Sequence, residues 1–123
     1  MKEVGIYTQA FNSILGINLP LVKIFASDGL KIHIAKRHPG YEKYLNSLAD
    51  IIKSPDYIGV NPTEPNSIEL IKRLDENIQI AIKLDINKNY LYVASLYDIN
   101  ESKIERRLQS GRLKIFSKNL DIL

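Results

Sequence analysis

Ile78-Gln79-Ile80-Ala81-Ile82-Lys83-Leu84 alternates large apolar residues with polar or small ones without a break. A period of two belongs to a strand with one face buried, because successive side chains leave opposite faces of the backbone. Ile78, Ile80, Ile82 and Leu84 are thus expected to face a core, and Gln79, Ala81 and Lys83 the other side. Asp85 to Asn89 follows as a polar turn, and Tyr90 to Tyr97 as a further strand dense in Tyr, Val and Leu. Upstream, Tyr57 to Val60 reads as a strand set between Pro55 and the Pro62–Pro65 turn, and Ser67 to Leu74 as another after that turn. Short turns join the four segments, which predicts a four-stranded antiparallel meander.

The flanks change period. Tyr41, Tyr44, Leu45, Leu48, Ile51 and Ile52 recur at three and four, predicting an amphipathic helix over Tyr41 to Lys53. Before it, Val4 to Gly16 reads as a short strand and a short helix ending near Gly16, and Val22 to Ala26 as a strand. Ser27 to His38 has two readings. Asp28-Gly29 followed by alternating Leu30, Ile32 and Ile34 suits a hairpin; a cap at Ser27 or Asp28 with Leu30, Ile34 and His38 on one stripe suits a helix. After the meander, Asn100 caps a last helix, Glu101 to Ser110, with Ile104 and Leu108 facing inward and Gly111 stopping it. Arg106 and Arg107 lie off the Ile104 side, free to reach solvent or a ligand. The fold class is therefore α+β: N-terminal helices packed on a four-stranded antiparallel meander, with a C-terminal helix.

The chain has 123 residues, enough for one domain with a real core. No apolar run approaches the roughly 18 residues of a membrane span, and the N-terminus does not read as a signal peptide. Cysteine is absent, which excludes disulfides, thiol catalysis and cysteine metal sites and fits a reducing compartment. With two histidines and no carboxylates at metal-ligand spacing, no metal or cofactor is expected. No phosphate loop, dinucleotide fingerprint, nucleophile elbow or HExxH pair is present. The net charge is +3, and the basic residues cluster. Lys31, His33, Lys36, Arg37 and His38 form one group; Lys103, Arg106, Arg107, Arg112, Lys114 and Lys118 form another. Two basic groups flanking a neutral middle suit a polyanion, although solvated faces give the same composition.

If Ser27 to His38 is a helix, His33, Lys36 and Arg37 share a face. A cation beside an imidazole favours its neutral, proton-accepting form, and a guanidinium can grip a phosphate with two hydrogen bonds. A base beside a phosphate clamp is what metal-free RNA cleavage needs. Lys83 is a lone cation that could touch a phosphate or simply cover the sheet. Ser95 and Tyr97 are hydroxyls on one face of the last strand.

Two sets of strings carry a resemblance. The first is His33-Ile34-Ala35-Lys36-Arg37-His38-Pro39. The second runs from Asp56-Tyr57-Ile58-Gly59 through Ala81-Ile82-Lys83-Leu84-Asp85 and Tyr90-Leu91-Tyr92-Val93-Ala94-Ser95-Leu96-Tyr97-Asp98 to Ser110-Gly111-Arg112-Leu113. Over residues 22–116 the chain resembles a phage-associated branch of the Barnase–EndoU–colicin–RelE superfamily of nuclease domains. The resemblance favours the helix over the hairpin at Ser27–His38. It leaves residues 1–21 as a variable N-terminal extension of one 1–123 domain. It implies a metal-independent, toxin-like endoribonuclease, cytoplasmic or phage-delivered, that cuts RNA, often tRNA in this superfamily, by attack of a 2′-hydroxyl. Catalytic residues implied by the match are His33, Arg37, His38, Lys83, Ser95, Tyr97 and Arg106. Lys36, Lys103, Arg107, Arg112 and Lys114 are expected to bind RNA. Partners implied are RNA, an inhibitor or immunity protein, or a parent phage protein, and no membrane. The competing class is an inactive module that binds RNA or a phage structural protein through the same basic surface. Convergence of His33, Arg37, Lys83 and Arg106 in one cleft separates the two.

Overall fold

The computed structural model describes residues 1–117; Lys118, the last of the second basic group, lies outside them. The chain order is β1 (Lys2–Ile6), α1 (Gln9–Leu15), β2 (Lys23–Ala26), α2 (Leu30–Arg37), a 3₁₀ segment (Glu42–Ser47), α3 (Leu48–Lys53), β3 (Tyr57–Val60), β4 (Ser67–Arg73), β5 (Asn77–Asp85), β6 (Tyr90–Asp98), α4 (Glu101–Ser110) and β7 (Leu113–Ile115). The class is α+β, but the sheet is not a four-stranded antiparallel one. It has seven strands in the order β1-β2-β6-β5-β4-β3-β7. Neighbours from β3 to β6 pair antiparallel, whereas β2 lies parallel to β6. Local patterning shows which residues form strands, not which distant strand they meet. The crossover from β2 to β6 and the return of a three-residue β7 to β3 are long-range pairings. Residues 1–21 supply β1 and α1, and Tyr7 and Phe11 are buried in the main core.

That core lies between one sheet face and the N-terminal helices. Ile68, Leu70, Ile80, Ile82, Leu91 and Val93 meet Phe11, Leu30, Ile34, Leu48 and Ile51. Ser27–His38 resolves as helix α2, with Leu30 and Ile34 buried four residues apart. The single helix expected over Tyr41–Lys53 is split. A 3₁₀ turn repeats every three residues, so Tyr41 and Tyr44 stand one above the other. Both hydroxyls donate to Glu76, at 2.8 and 2.9 Å. The Tyr41 hydroxyl is pushed up to about 12, chiefly by this bond, and the Glu76 carboxyl is held below its usual range. Tertiary hydrogen bonding thus overrides the helical period of the first turn and a half.

The opposite sheet face is only partly covered. α4 packs Ile104 against Ile71, Ile99 and Leu113, and Asn100 caps it by accepting from the Lys103 amide at 2.9 Å. Gly111 ends it in the left-handed region at φ 84° and turns the chain into β7. β7 fits against β3 because Gly59 has no side chain: a Cβ there would lie 2.4 Å from the Arg112 carbonyl oxygen. Gly59→Ala must push β7 away. We expect a loss of about 1–3 kcal/mol by urea unfolding, and a change below 0.5 kcal/mol would contradict this close packing.

β6 carries one irregularity that positions the site. Ala81 pairs with Ser95 but Ile82 pairs with Val93, so Ala94 is an extra residue, a β-bulge. Strict alternation would send Ser95 to the core beside Leu91 and Val93. The bulge shifts the phase, so Leu96 is buried while Ser95 and Tyr97 join Lys83 on the open face.

Candidate active site

The open face of β4, β5 and β6 holds a cleft of about 320 Å³ lined by His33, Asn61, Glu64, Ser67, Lys83, Ser95 and Tyr97. Ala81 and Ala94 also line it, and their short side chains leave room. His33 arrives from α2, which packs against β6. Four sequence-derived candidates, His33, Lys83, Ser95 and Tyr97, therefore share one cleft. His38 does not line it, but its ring stacks on Tyr97 with centroids 5.2 Å apart. Arg37 and Lys36 are exposed on α2 and outside it. Arg106 is elsewhere too: it lines a second cleft, of about 340 Å³, with Lys103, Arg107, Ser110 and Arg112, so of the four residues whose convergence separates an enzyme from a binding module only His33 and Lys83 meet. Lys114 is exposed on β7.

A buried polar chain joins the two clefts. Glu69 is 2% exposed on β4. Arg112 grips both of its carboxylate oxygens, and Arg107 lies 3.6 Å away. Arg107 also donates to Gln79 Oε1 at 2.9 Å, and Gln79 Nε2 donates to the Tyr97 hydroxyl. This fixes proton directions. Arginine only donates, so Gln79 must accept with its oxygen and donate with its nitrogen. The Tyr97 oxygen therefore accepts from Gln79, and its own proton is free to be given into the cleft. Burial first, then the Glu69 charge, raises the Tyr97 pKa, so the phenol keeps that proton at neutral pH.

Lys83 bonds Glu64 at 2.7 Å, which holds the ammonium in its charged form. Ser67, directly opposite Lys83 in the β4–β5 register, is 2% exposed. Its hydroxyl has no protein hydrogen-bond partner among the described residues. A buried hydroxyl left alone costs about 1–3 kcal/mol. Glu69, Gln79, Ser67 and Glu64 were not among the sequence candidates. Glu69 and Gln79 did leave a signal, since a charge or amide inside Ile68–Ile71 or Ile78–Ile80 must find a buried partner. Ser67 and Glu64 left none, because the β4 register and the loop before it place them.

Among the described residues, no group of three or more His, Cys, Asp or Glu is arranged to hold a metal, and no helix is long and apolar enough to cross a membrane. An imidazole, an ammonium and two hydroxyls thus line one cleft on the open face of an α+β sheet. Residues 2–106 match the family described as phage-Barnase-EndoU-ColicinE5/D-RelE like nuclease 3, and the chain belongs to it. The match takes in β1 and α1 as well as the strings from His33 to Asp98, and it ends at Arg106, before Ser110-Gly111-Arg112-Leu113. No curated protein and no solved structure matches the chain.

Proposed function

We propose that the chain is a metal-independent endoribonuclease acting in the His33–Lys83–Tyr97 cleft. His33 takes the proton of a ribose 2′-hydroxyl. The 2′-oxygen attacks the adjacent phosphorus, forming a 2′,3′-cyclic phosphate as the bond to the 5′-oxygen breaks. Lys83 and the Ser95 hydroxyl face the charge that grows on the phosphoryl oxygens. Tyr97 gives its free proton to the departing 5′-oxygen, and solvent restores both groups. His38, stacked on the ring, is a positioning residue for Tyr97. The observation that carries this is the convergence of a proton acceptor, a cation and a proton donor in one cleft on a nuclease-family frame.

The second cleft holds flanking phosphates. Arg107 and Arg112 are already committed to Glu69, whereas Lys103 and Arg106 have no ion-pair partner among the described residues. Lys36, Arg37 and Lys114 extend the basic surface. RNA, with tRNA the first candidate, is the substrate; an inhibitor protein or a parent phage protein would meet the same basic face, and the cytoplasm is where it acts. The test is digestion of tRNA and total RNA in EDTA with analysis of the new ends. Cleavage leaving cyclic phosphates is expected; RNA intact at high protein concentration would favour the inactive binding module.

Changing Lys103 and Arg106 together to Gln should weaken RNA binding at every sequence and lower the salt slope of log affinity by about two. An unchanged slope in a salt titration would remove the second cleft from the RNA path.

A further inference from the structure

The cleft contains an anion of its own. Glu64 sits in the Asn61–Asn66 loop, whose shape is set locally: Asn61 Oδ1 accepts from the amides of Thr63 and Glu64 at 2.9 and 3.2 Å and from the Thr63 hydroxyl at 3.0 Å. The loop places the Glu64 carboxylate 2.7 Å from Lys83 Nζ. Beside that contact stands Ser67, buried, directly opposite Lys83 in the register and without a protein partner for its hydroxyl. An ammonium and an unpartnered hydroxyl on adjacent strands make a seat for an oxyanion. A carboxylate is the side chain that most nearly imitates one.

We propose that Lys83 and Ser67 form the phosphate seat of the cleft, and that Glu64 occupies the Lys83 side of it until a substrate phosphate displaces it. This rests on the phosphate-transfer reading given above and adds two residues to it. Glu64 then acts as a competitor and not as a proton carrier. Its side chain is half exposed on a loop, free to swing outward, whereas Ser67 and Lys83 are fixed on strands. Any anion that enters must compete with Glu64 for the ammonium, and the further contacts of an RNA strand help it to do so.

The experiment measures binding of two probes, inorganic phosphate and an uncleavable 2′-O-methyl oligonucleotide, to the full chain and to four variants. Glu64→Gln should tighten both by about twofold to fivefold, the size of an exposed ion pair removed from competition. Asp75→Asn, the same charge change on the exposed β4–β5 turn, should tighten neither comparably. Ser67→Ala should weaken phosphate about tenfold, the loss of one hydrogen bond to a charged group. It should do the same in the Glu64→Gln background. Tighter phosphate binding by Glu64→Gln, with RNA neither bound nor cut by any version, keeps the seat and removes the ribonuclease reading. RNA cleavage by the unaltered chain with Glu64→Gln binding no tighter, or more weakly, overturns the seat and leaves the ribonuclease reading standing. Equal gains in Glu64→Gln and Asp75→Asn reduce the effect to net charge and also overturn it.

Discussion

We expect His33→Ala to abolish RNA cleavage while leaving the fold in place. The loss expected is about 10²–10⁴-fold in rate, the range for removing a positioned proton acceptor. The fold should survive because His33 is exposed on α2, whose hold on the sheet comes from Leu30 and Ile34 on the other stripe. Unfolding midpoints should therefore agree within the roughly 0.5 kcal/mol typical of surface changes. RNA affinity should change little, since binding draws on Lys83 and the second cleft, so the defect belongs in kcat and not in KM. A variant that still cuts at more than a tenth of the normal rate would assign the proton transfer to another group. His38 would be the next candidate, through its contact with Tyr97.

The largest effect on stability is expected at Glu69. Its carboxylate is buried and answers two guanidinium groups that are themselves mostly covered. Glu69→Ala leaves two positive charges side by side without their anion. Breaking a buried pair in this way costs about 3–5 kcal/mol, a large part of the 5–15 kcal/mol typical of a whole domain. Urea unfolding should show this directly. The damage should reach the active cleft too, because Arg107 holds Gln79 and Gln79 orients Tyr97. Removing one of the two stranded charges as well, Glu69→Leu with Arg112→Met, should recover part of the stability, since what costs most is unpaired charge and not the missing bridge; Arg107 keeps its bond to Gln79. A Glu69→Ala chain within 1 kcal/mol of the original would mean the two arginines turn to solvent without penalty.

The strands of this molecule were legible because their apolar residues keep step. Ile78 to Leu84 announces its buried face by alternation alone, and the turns beside it are polar. Pairing across long stretches of chain was not legible. β2 meets β6 through two residue pairs, and β7 is three residues long, so neither leaves a periodic trace of its partner. The same division runs through the site. His33, Lys83, Ser95 and Tyr97 were accessible as residue types in strings that resemble a nuclease, and the fold brings them to one cleft. Arg106 was grouped with them by charge and motif, yet α4 carries it to the neighbouring cleft. Ser95 shows the limit most clearly. Its place on the open face depends on the extra residue Ala94, which no alternation rule anticipates.

The most direct test of transesterification in this cleft uses one synthetic RNA that the protein cuts and a second in which the ribose at the cleaved bond is 2′-deoxy. Attack by the neighbouring 2′-oxygen is impossible in the second, so cleavage at that bond should vanish for the unaltered chain, while the all-ribose strand is cut by it and spared by His33→Ala. Equal cutting of both strands at the same bond would mean that water or another nucleophile attacks the phosphorus and would contradict the mechanism assigned to His33.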